Sequence, residues 1–454
     1  MTSSRCHNVV KRLPISFAMA IAVTLLADAA FAQQTRPERP YRGLFGNGGS
    51  SDVEQSLTAT GSFGAGYDTS VLAEAGEAGF GGGGSTPRPS EEGSYILFSE
   101  GLSYLLSKKK VGFTATQSAA LRMYPTIEQD SIANYGGGIG ASWSPSTRTH
   151  LSASQTLTHQ PMNLFALFPV FQTNPIGQVY LADLDYGTVD AGYSTYYTGV
   201  SGSRRLSSRA TFTADYSYER SDYALYPDYT SQMAGARFTR SLKAGLGLRI
   251  GYNYTRTLYG SGNRLAGRHG LDTGVDYNKT LSFSRRTTLS FSTGGSATKY
   301  QGDTHITAIG SANLIHEIGR TWQFNAGYKR DVGFEEAFSA PFSYDAATVA
   351  LNGLIDRAWS FHSAAGAFIG ALGFGSTASA NGFNTYYANA GVSRALNRHI
   401  SLGLDYSFYR YDYDKTATLL PRGYQNDFNR NAVRATLNAW LPLFERGRRS
   451  NAAR

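Results

Sequence analysis

From about residue 53 onward, the hydrophobicity of the chain alternates with a period of two residues. In one segment Leu246, Leu248 and Ile250 alternate with Gly247 and Arg249. Successive side chains of a β-strand point to opposite faces, so this period indicates strands with one apolar face and one small or polar face. No later segment shows the 3.6-residue period of a helix with comparable strength. The pattern therefore predicts an all-β fold.

The N-terminus has the features of a secretory signal. Lys11 and Arg12 precede an apolar run that closes with an A-x-A site at residues 30–32. These features predict a cleaved signal peptide over residues 1–32, and a retained N-terminal anchor is the alternative. The only cysteine, Cys6, precedes the apolar run. The mature chain is therefore expected to contain no cysteine and no disulfide.

Alternating segments recur along the chain, for example at 270–283 and 399–412. They predict about eighteen strands, in a range of roughly 16–20. Connections after even-numbered segments are short, whereas those after odd-numbered segments are mostly long. This asymmetry is typical of a transmembrane antiparallel up-and-down β-barrel, whose closed sheet satisfies every backbone hydrogen bond inside hydrocarbon. A soluble β-sandwich or solenoid is the alternative, and it would carry larger inward aliphatic side chains.

The predicted organisation has four parts. Residues 1–32 are the signal, residues 33–52 a flexible periplasmic lead-in, residues 53–444 an outer-membrane barrel, and residues 445–454 a polar tail. Tyrosines near the long-loop ends, Tyr124, Tyr135 and Tyr300 among them, are expected at the membrane–water interface.

Other ligand classes receive little support. The net charge of +9 is concentrated at turns and tail, without the interleaved aromatic residues of a nucleic-acid surface, so no nucleic-acid partner is expected. Those basic residues either meet anionic lipid headgroups or simply solubilise the turns. The glycine run at 81–84 lacks the context of a phosphate-binding loop. The histidines lack metal-ligand spacing, so we expect no metal, no cofactor and no enzyme.

The polar phase of the strands predicts the lumen-lining side chains. They are Arg209, Asp215, Arg249, Asp272, Asp276, Lys329, Asp405 and Arg434. With Asp190 and Glu219 added to the inward phase, acidic residues slightly exceed basic ones, which suits neutral or polar solutes with a mild cation preference. The alternative is that these charges pair across a filled lumen.

One long connection, 161–187, is too apolar to extend freely into water. Phe165, Phe168 and Phe171 are its aromatic residues. The loop is expected to form a constriction in the mouth or to dock a partner, and packing across the barrel rim is the alternative.

The signal, the strand number and the tyrosine- and glycine-rich alternation over residues 53–444 resemble bacterial outer-membrane β-barrel porins. Within them, the chain looks like the beta-barrel porin type 2 group, some of whose members accompany exopolysaccharide export. The resemblance implies recognition of a C-terminal aromatic residue by the barrel-assembly machinery. Phe444 is in that position, although ten further residues follow it.

These features predict a porin or channel in the cell outer membrane, surrounded by lipid, that passes polar solutes or exopolysaccharide through a hydrated lumen. A structural or adhesive barrel whose surface loops bind a partner is the alternative. A barrel hydrolase is the weaker one, because a Ser-His-Asp site can assemble from distant residues. The oligomeric state is not predicted.

Overall fold

The structure is a computed structural model that describes most of the predicted barrel. The described residues are 53–69, 92–125, 131–163, 188–223, 228–243, 245–259, 264–281, 284–300, 302–334, 340–374, 381–414 and 427–447. The predicted signal and lead-in lie outside them.

Eighteen β-strands make up the described fold. In chain order they are β1 Val53–Asp68, β2 Gly93–Ser107, β3 Val111–Met123, β4 Ser131–Ser146, β5 Thr149–Asn163, β6 Thr188–Arg205, β7 Ala210–Tyr223, β8 Tyr229–Lys243, β9 Leu246–Tyr259, β10 Arg264–Leu281, β11 Ser284–Tyr300, β12 Asp303–Ile318, β13 Trp322–Gly333, β14 Phe342–Leu354, β15 Trp359–Leu372, β16 Gly382–Ala395, β17 Ile400–Tyr413 and β18 Asp427–Gly447.

Each strand pairs antiparallel with its two chain neighbours, and β1 pairs with both β2 and β18. The sheet is therefore a closed up-and-down barrel, which confirms the predicted fold class. Closure leaves no sheet edge, so the backbone can be satisfied inside a membrane. Among the described residues, no helix is long and apolar enough to cross a membrane.

The connections differ in length at the two ends of the barrel. Those after even-numbered strands contain two to four residues. Most of those after odd-numbered strands are longer, but β11 and β12 are joined by residues 301–302 alone. Gly302 has a φ of 98° in that connection, a conformation that glycine adopts without steric cost. β9 and β10 are joined by only four residues, 260–263, so the predicted asymmetry holds with two exceptions.

Several strands extend past their predicted bounds. β10 begins at Arg264, six residues before the alternating segment at 270–283. The part of a strand that lies outside the hydrocarbon needs no apolar face. Alternating hydrophobicity therefore does not show where such a strand begins or ends. At the C-terminus β18 continues to Gly447, so the first three residues of the predicted tail pair with β1.

The outer wall is apolar. Leu248, Ile250, Leu402 and Leu404 occupy the apolar phase of their strands, and their exposed fractions are 43%, 61%, 45% and 51%. Inward positions on the same strands hold small or polar residues, such as Ser401 and Gly403. Because so many large apolar side chains point away from the barrel, its outer surface is suited to lipid and not to water.

Candidate functional site

The inner wall carries a row of polar side chains from β15 to β3. His362 on β15 and Asp405 on β17 meet with Nε2 and Oδ1 3.1 Å apart. Arg434 on β18 pairs in register with Asp405, and its Nη2 lies 3.7 Å from Asp405 Oδ2. These side chains are only partly exposed, so the three polar groups are held against the wall. We call His362, Asp405 and Arg434 the lumen triad.

Glycines make this row possible. Gly391 lies on β16 between His362 and Asp405, and a Cβ there would lie 2.5 Å from His362 Nε2. Gly66 lies on β1 between Arg434 and Tyr95, and a Cβ there would lie 2.5 Å from the Tyr95 ring. Each glycine has no side chain of its own. A side chain from a neighbouring strand occupies the space above it.

A second charged group lies where β18, β1, β2 and β3 approach the long loops. Arg430 and Asp68 form a buried pair, in which Arg430 Nε donates to Asp68 Oδ1 at 2.9 Å. The Arg122 guanidinium lies 4.8 Å from the centre of the Tyr95 ring. Arg122 Nη1 also donates to the Tyr124 hydroxyl at 3.4 Å. Paired and stacked guanidinium groups therefore line this part of the wall.

A third charged group lies on β10–β13. Arg268 Nε donates to Ser296 Oγ at 2.8 Å, and Arg268 Nη2 donates to Asp331 Oδ1 at 2.7 Å. Lys329 Nζ lies 3.2 Å from the second oxygen of Asp331 and 5.8 Å from the Tyr344 ring centre. Arg268 thus reaches across two strands to a carboxylate on β13.

Aromatic rings pack on the inner face of β14–β17, toward the long loops. Phe368 stacks on Tyr344 with ring centres 4.6 Å apart and on Phe383 with centres 5.7 Å apart. Phe383 also contacts Phe342 and Tyr413 at 6.0 and 5.8 Å. All five rings have exposed fractions of 3% or less. We call these five residues the aromatic cluster, and the lumen is packed, not water-filled, where they lie.

The residues predicted to line the lumen have different environments. Lys329, Asp405 and Arg434 belong to the charged groups described above. Asp215 lies opposite Gly235, where its carboxylate occupies the glycine's open space. Arg249 Nη2 donates to the Thr293 carbonyl at 3.4 Å.

The other predicted residues are placed elsewhere or are not described. Arg209 lies in the turn before β7 and is exposed. The side chains of Asp272 and Asp276 lie outside the described part of the chain, although both residues are in β10. Phe165, Phe168 and Phe171 also fall outside it.

Sequence reasoning missed several inward charges. They are Asp68, Arg122, Arg268, Asp331 and Arg430. Each lies near the loop end of its strand, where apolar alternation no longer marks the phase. Together these five residues add three positive and two negative charges to the inner wall. Two tyrosines expected at the interface, Tyr124 and Tyr300, are buried, with exposed fractions of 2% and 7%. Tyr135, by contrast, is 52% exposed on the outer wall.

A closed antiparallel barrel of eighteen strands with an apolar outer wall is a transmembrane β-barrel protein of the bacterial outer membrane.

No family model and no curated protein matches the chain. Solved structures give weak likenesses. Pseudomonas aeruginosa OpdQ is 10% identical over 86% of this chain and 98% of its own, with a TM-score of 0.44. P. aeruginosa OccK2 (OpdF) in complex with glucuronate is 9% identical over 86% and 99%, with a TM-score of 0.45.

The siderophore receptor PirA from Acinetobacter baumannii is 7% identical over 84% of this chain and 80% of its own, with a TM-score of 0.40. Likenesses this weak carry no argument about function, so the class assignment rests on the wall itself.

Proposed function

We propose that this barrel is a channel for small polar solutes across the outer membrane. The observation that carries the proposal is the polar inner face of the closed wall. Ser118 on β3 and Ser311 on β12 point inward and are exposed, unlike the packed aromatic cluster. An eighteen-strand barrel encloses more space than wall side chains alone fill. Exposed hydroxyl groups on that wall support a hydrated path.

The opposite charges along the path indicate which class of solute the channel favours. The lumen triad and the Arg268–Asp331–Lys329 group present guanidinium, ammonium and carboxylate groups on different parts of the wall. Mixed charges and many hydroxyl groups favour neutral, hydroxyl-rich solutes such as sugars over solutes of one strong charge. An exopolysaccharide is the larger form of such a solute, and only the resemblance in the sequence supports it.

A hydrolase receives no comparable support. Ser144 Oγ lies 3.0 Å from His150 Nδ1, while Asp405 contacts a different histidine, His362. These two contacts do not combine into one Ser-His-Asp triad. Among the described residues, no group of three potential ligands could hold a metal ion.

Conductance of the refolded mature protein in planar bilayers tests the proposal. We expect discrete ion-conducting steps that fall when short uncharged oligosaccharides enter the lumen. Arg434→Gln removes a positive charge from the path, so the reversal potential in a salt gradient should shift toward cation preference. A barrel that conducts no ions would reject the channel and favour the structural or adhesive alternative.

Arg394→Gln is the matched control. This variant also loses a guanidinium group. Arg394, however, lies on the outer wall, with its guanidinium 5.4 Å from the centre of the Trp359 ring. Its reversal potential should equal that of the unmodified protein. If both variants shift equally, or if Arg434→Gln shifts nothing, Arg434 does not line the conducting path.

A further inference from the structure

A band of polar side chains lies on the outer wall at mid-strand height, across neighbouring strands. Glu100 lies at the centre of β2, Gln117 at the centre of β3, and Gln155 one residue from the centre of β5. Thr198 on β6 pairs in register with Gln155. We call these four residues the outer polar band. It extends over five adjacent strands, or about 19 Å at the usual strand spacing.

The alternation of each strand places the band outside the barrel. Glu100 lies between Phe98 and Leu102, whose exposed fractions are 44% and 40%. Gln155 is on the same face as Leu151 and Leu157, which are 40% and 43% exposed. Residue Ser99, next to Glu100, points the other way, since its Oγ lies 2.5 Å from Ser62 Oγ.

Glu100 and Gln117 already contact each other on this face, with Gln117 Nε2 donating to Glu100 Oε1 at 3.4 Å. That single long bond leaves most of the carboxylate's hydrogen-bonding capacity unused on a wall that otherwise faces hydrocarbon. A carboxylate at mid-membrane is costly unless donors surround it. Lipid tails offer none, whereas a second protein surface can provide them.

The band itself is complementary to a second copy of this chain. All copies have the same orientation in the membrane, so the symmetry axis of an oligomer is parallel to the membrane normal. Such an axis sets one edge of the band against the opposite edge on the neighbour. Glu100, an acceptor, is at one edge, and Gln155 and Thr198, which are donors, are at the other. Gly137, on β4 between Gln117 and Leu157, has no side chain and permits close approach.

We propose that the outer polar band is the contact surface of a homo-oligomer, in which the Glu100 carboxylate of one copy accepts hydrogen bonds from Gln155 of the next. The inference is independent of the channel proposal, because an adhesive barrel could assemble in the same way. The contact buries the band's polar groups and turns the remaining apolar wall toward lipid.

Cysteine cross-linking in native outer membranes tests the contact. The background is Cys6→Ser, which removes the chain's only cysteine. In the double variant Glu100→Cys/Gln155→Cys the two positions lie three strands apart in one barrel, about 14 Å, which is too far for an internal disulfide. We expect oxidation to link copies into dimers and higher multiples of the chain mass.

The control is Val349→Cys/Leu404→Cys. These residues are also exposed on the outer wall and also lie three strands apart, on β14 and β17. We expect background linking only. Equal linking in both variants, no linking at the band, or a product whose mass is not a multiple of this chain would overturn the proposal.

A second measurement does not depend on disulfides. Glu100→Leu/Gln155→Leu makes the band apolar, so the barrel should still fold, which heat-dependent gel migration checks. Light scattering in mild detergent should show a smaller particle than for the unmodified protein. An unmodified protein that is already a monomer, or a double-leucine variant of unchanged size, contradicts the proposed contact.

Discussion

At the scale of single residues, the abundant glycines of this chain do more than keep the inner wall small. An inward glycine leaves the surface of one strand open, and a side chain from the neighbouring strand lies across it. His362 and Asp405 meet over Gly391, Tyr95 lies over Gly66, and Asp215 lies beside Gly235. Long polar side chains are thereby held flat against the wall and do not extend into the centre of the lumen.

Gly391→Ala tests this role. The added methyl group would collide with both His362 and Asp405, so their contact must open. We expect destabilisation of about 1–3 kcal/mol, the usual cost of overpacking. The measurement is the free energy of unfolding in urea with lipid vesicles.

Gly295→Ala is the control, because a Cβ at that position meets nothing within 4 Å. A glycine-to-alanine change at a compatible position stabilises the folded protein by ~0.4–1 kcal/mol, because it lowers the conformational entropy of the unfolded chain. Equal effects of the two substitutions would show that the space over Gly391 is not required.

At the scale of strands, the inner face changes character around the barrel. β3 and β12 present exposed serines, whereas β14–β17 present the aromatic cluster near the long loops. Neighbouring inward positions bring Tyr344, Phe368 and Phe383 into one stack across three strands. Because aromatic pairs and apolar burial stabilise such a stack, we expect it to narrow one side of the mouth.

Phe383→Ala should widen that side of the mouth. Phe383 touches three other rings, so its loss leaves a cavity, with a stability cost of about 3–5 kcal/mol. We expect a larger single-channel conductance together with a lower unfolding temperature.

Tyr386→Ala is the control on the same strand. Tyr386 faces outward and is 41% exposed, so its removal changes lipid contact but not the lumen. Conductance should be unchanged. If Phe383→Ala conducts like the unmodified barrel, the aromatic cluster does not limit the path.

At the scale of the whole molecule, the barrel separates two solvents with one sheet. Leucines such as Leu248 and Leu404 face lipid, and hydroxyl and charged groups face the lumen. Closure of the sheet satisfies the hydrogen bonds of the backbone. The stability of the barrel then depends on whether each side chain faces lipid or water.

Leu404→Arg places a guanidinium on the lipid face. The expected cost is about 2–4 kcal/mol near the midplane, measured by urea unfolding in lipid vesicles. Ser118→Arg places the same group in the lumen, where Ser118 is exposed, and should change stability by less than ~0.5 kcal/mol. Similar costs for both variants would mean that the assignment of the two faces is wrong.

The sequence alone determined the fold class, the strand number and the outward face. The two-residue period of hydrophobicity indicates which side chains face hydrocarbon. At Leu248 and Leu404 this indication depends only on neighbouring residues in the sequence. It also predicted Lys329, Asp405 and Arg434 as inward, a placement that follows from their phase.

Only the tertiary structure decided which inward groups meet. Asp405 contacts His362 and Arg434, and Asp331 contacts Arg268, because the pairing of successive strands brings these segments into register. Arg430 and Asp68 pair only because β18 returns to β1. Arg268 and Asp68 lie near the loop ends of their strands, where a strand needs no apolar face. The alternation of hydrophobicity that predicts a strand is therefore lost there. Partner choice depends on long-range register, and a local hydrophobic pattern contains no information about it.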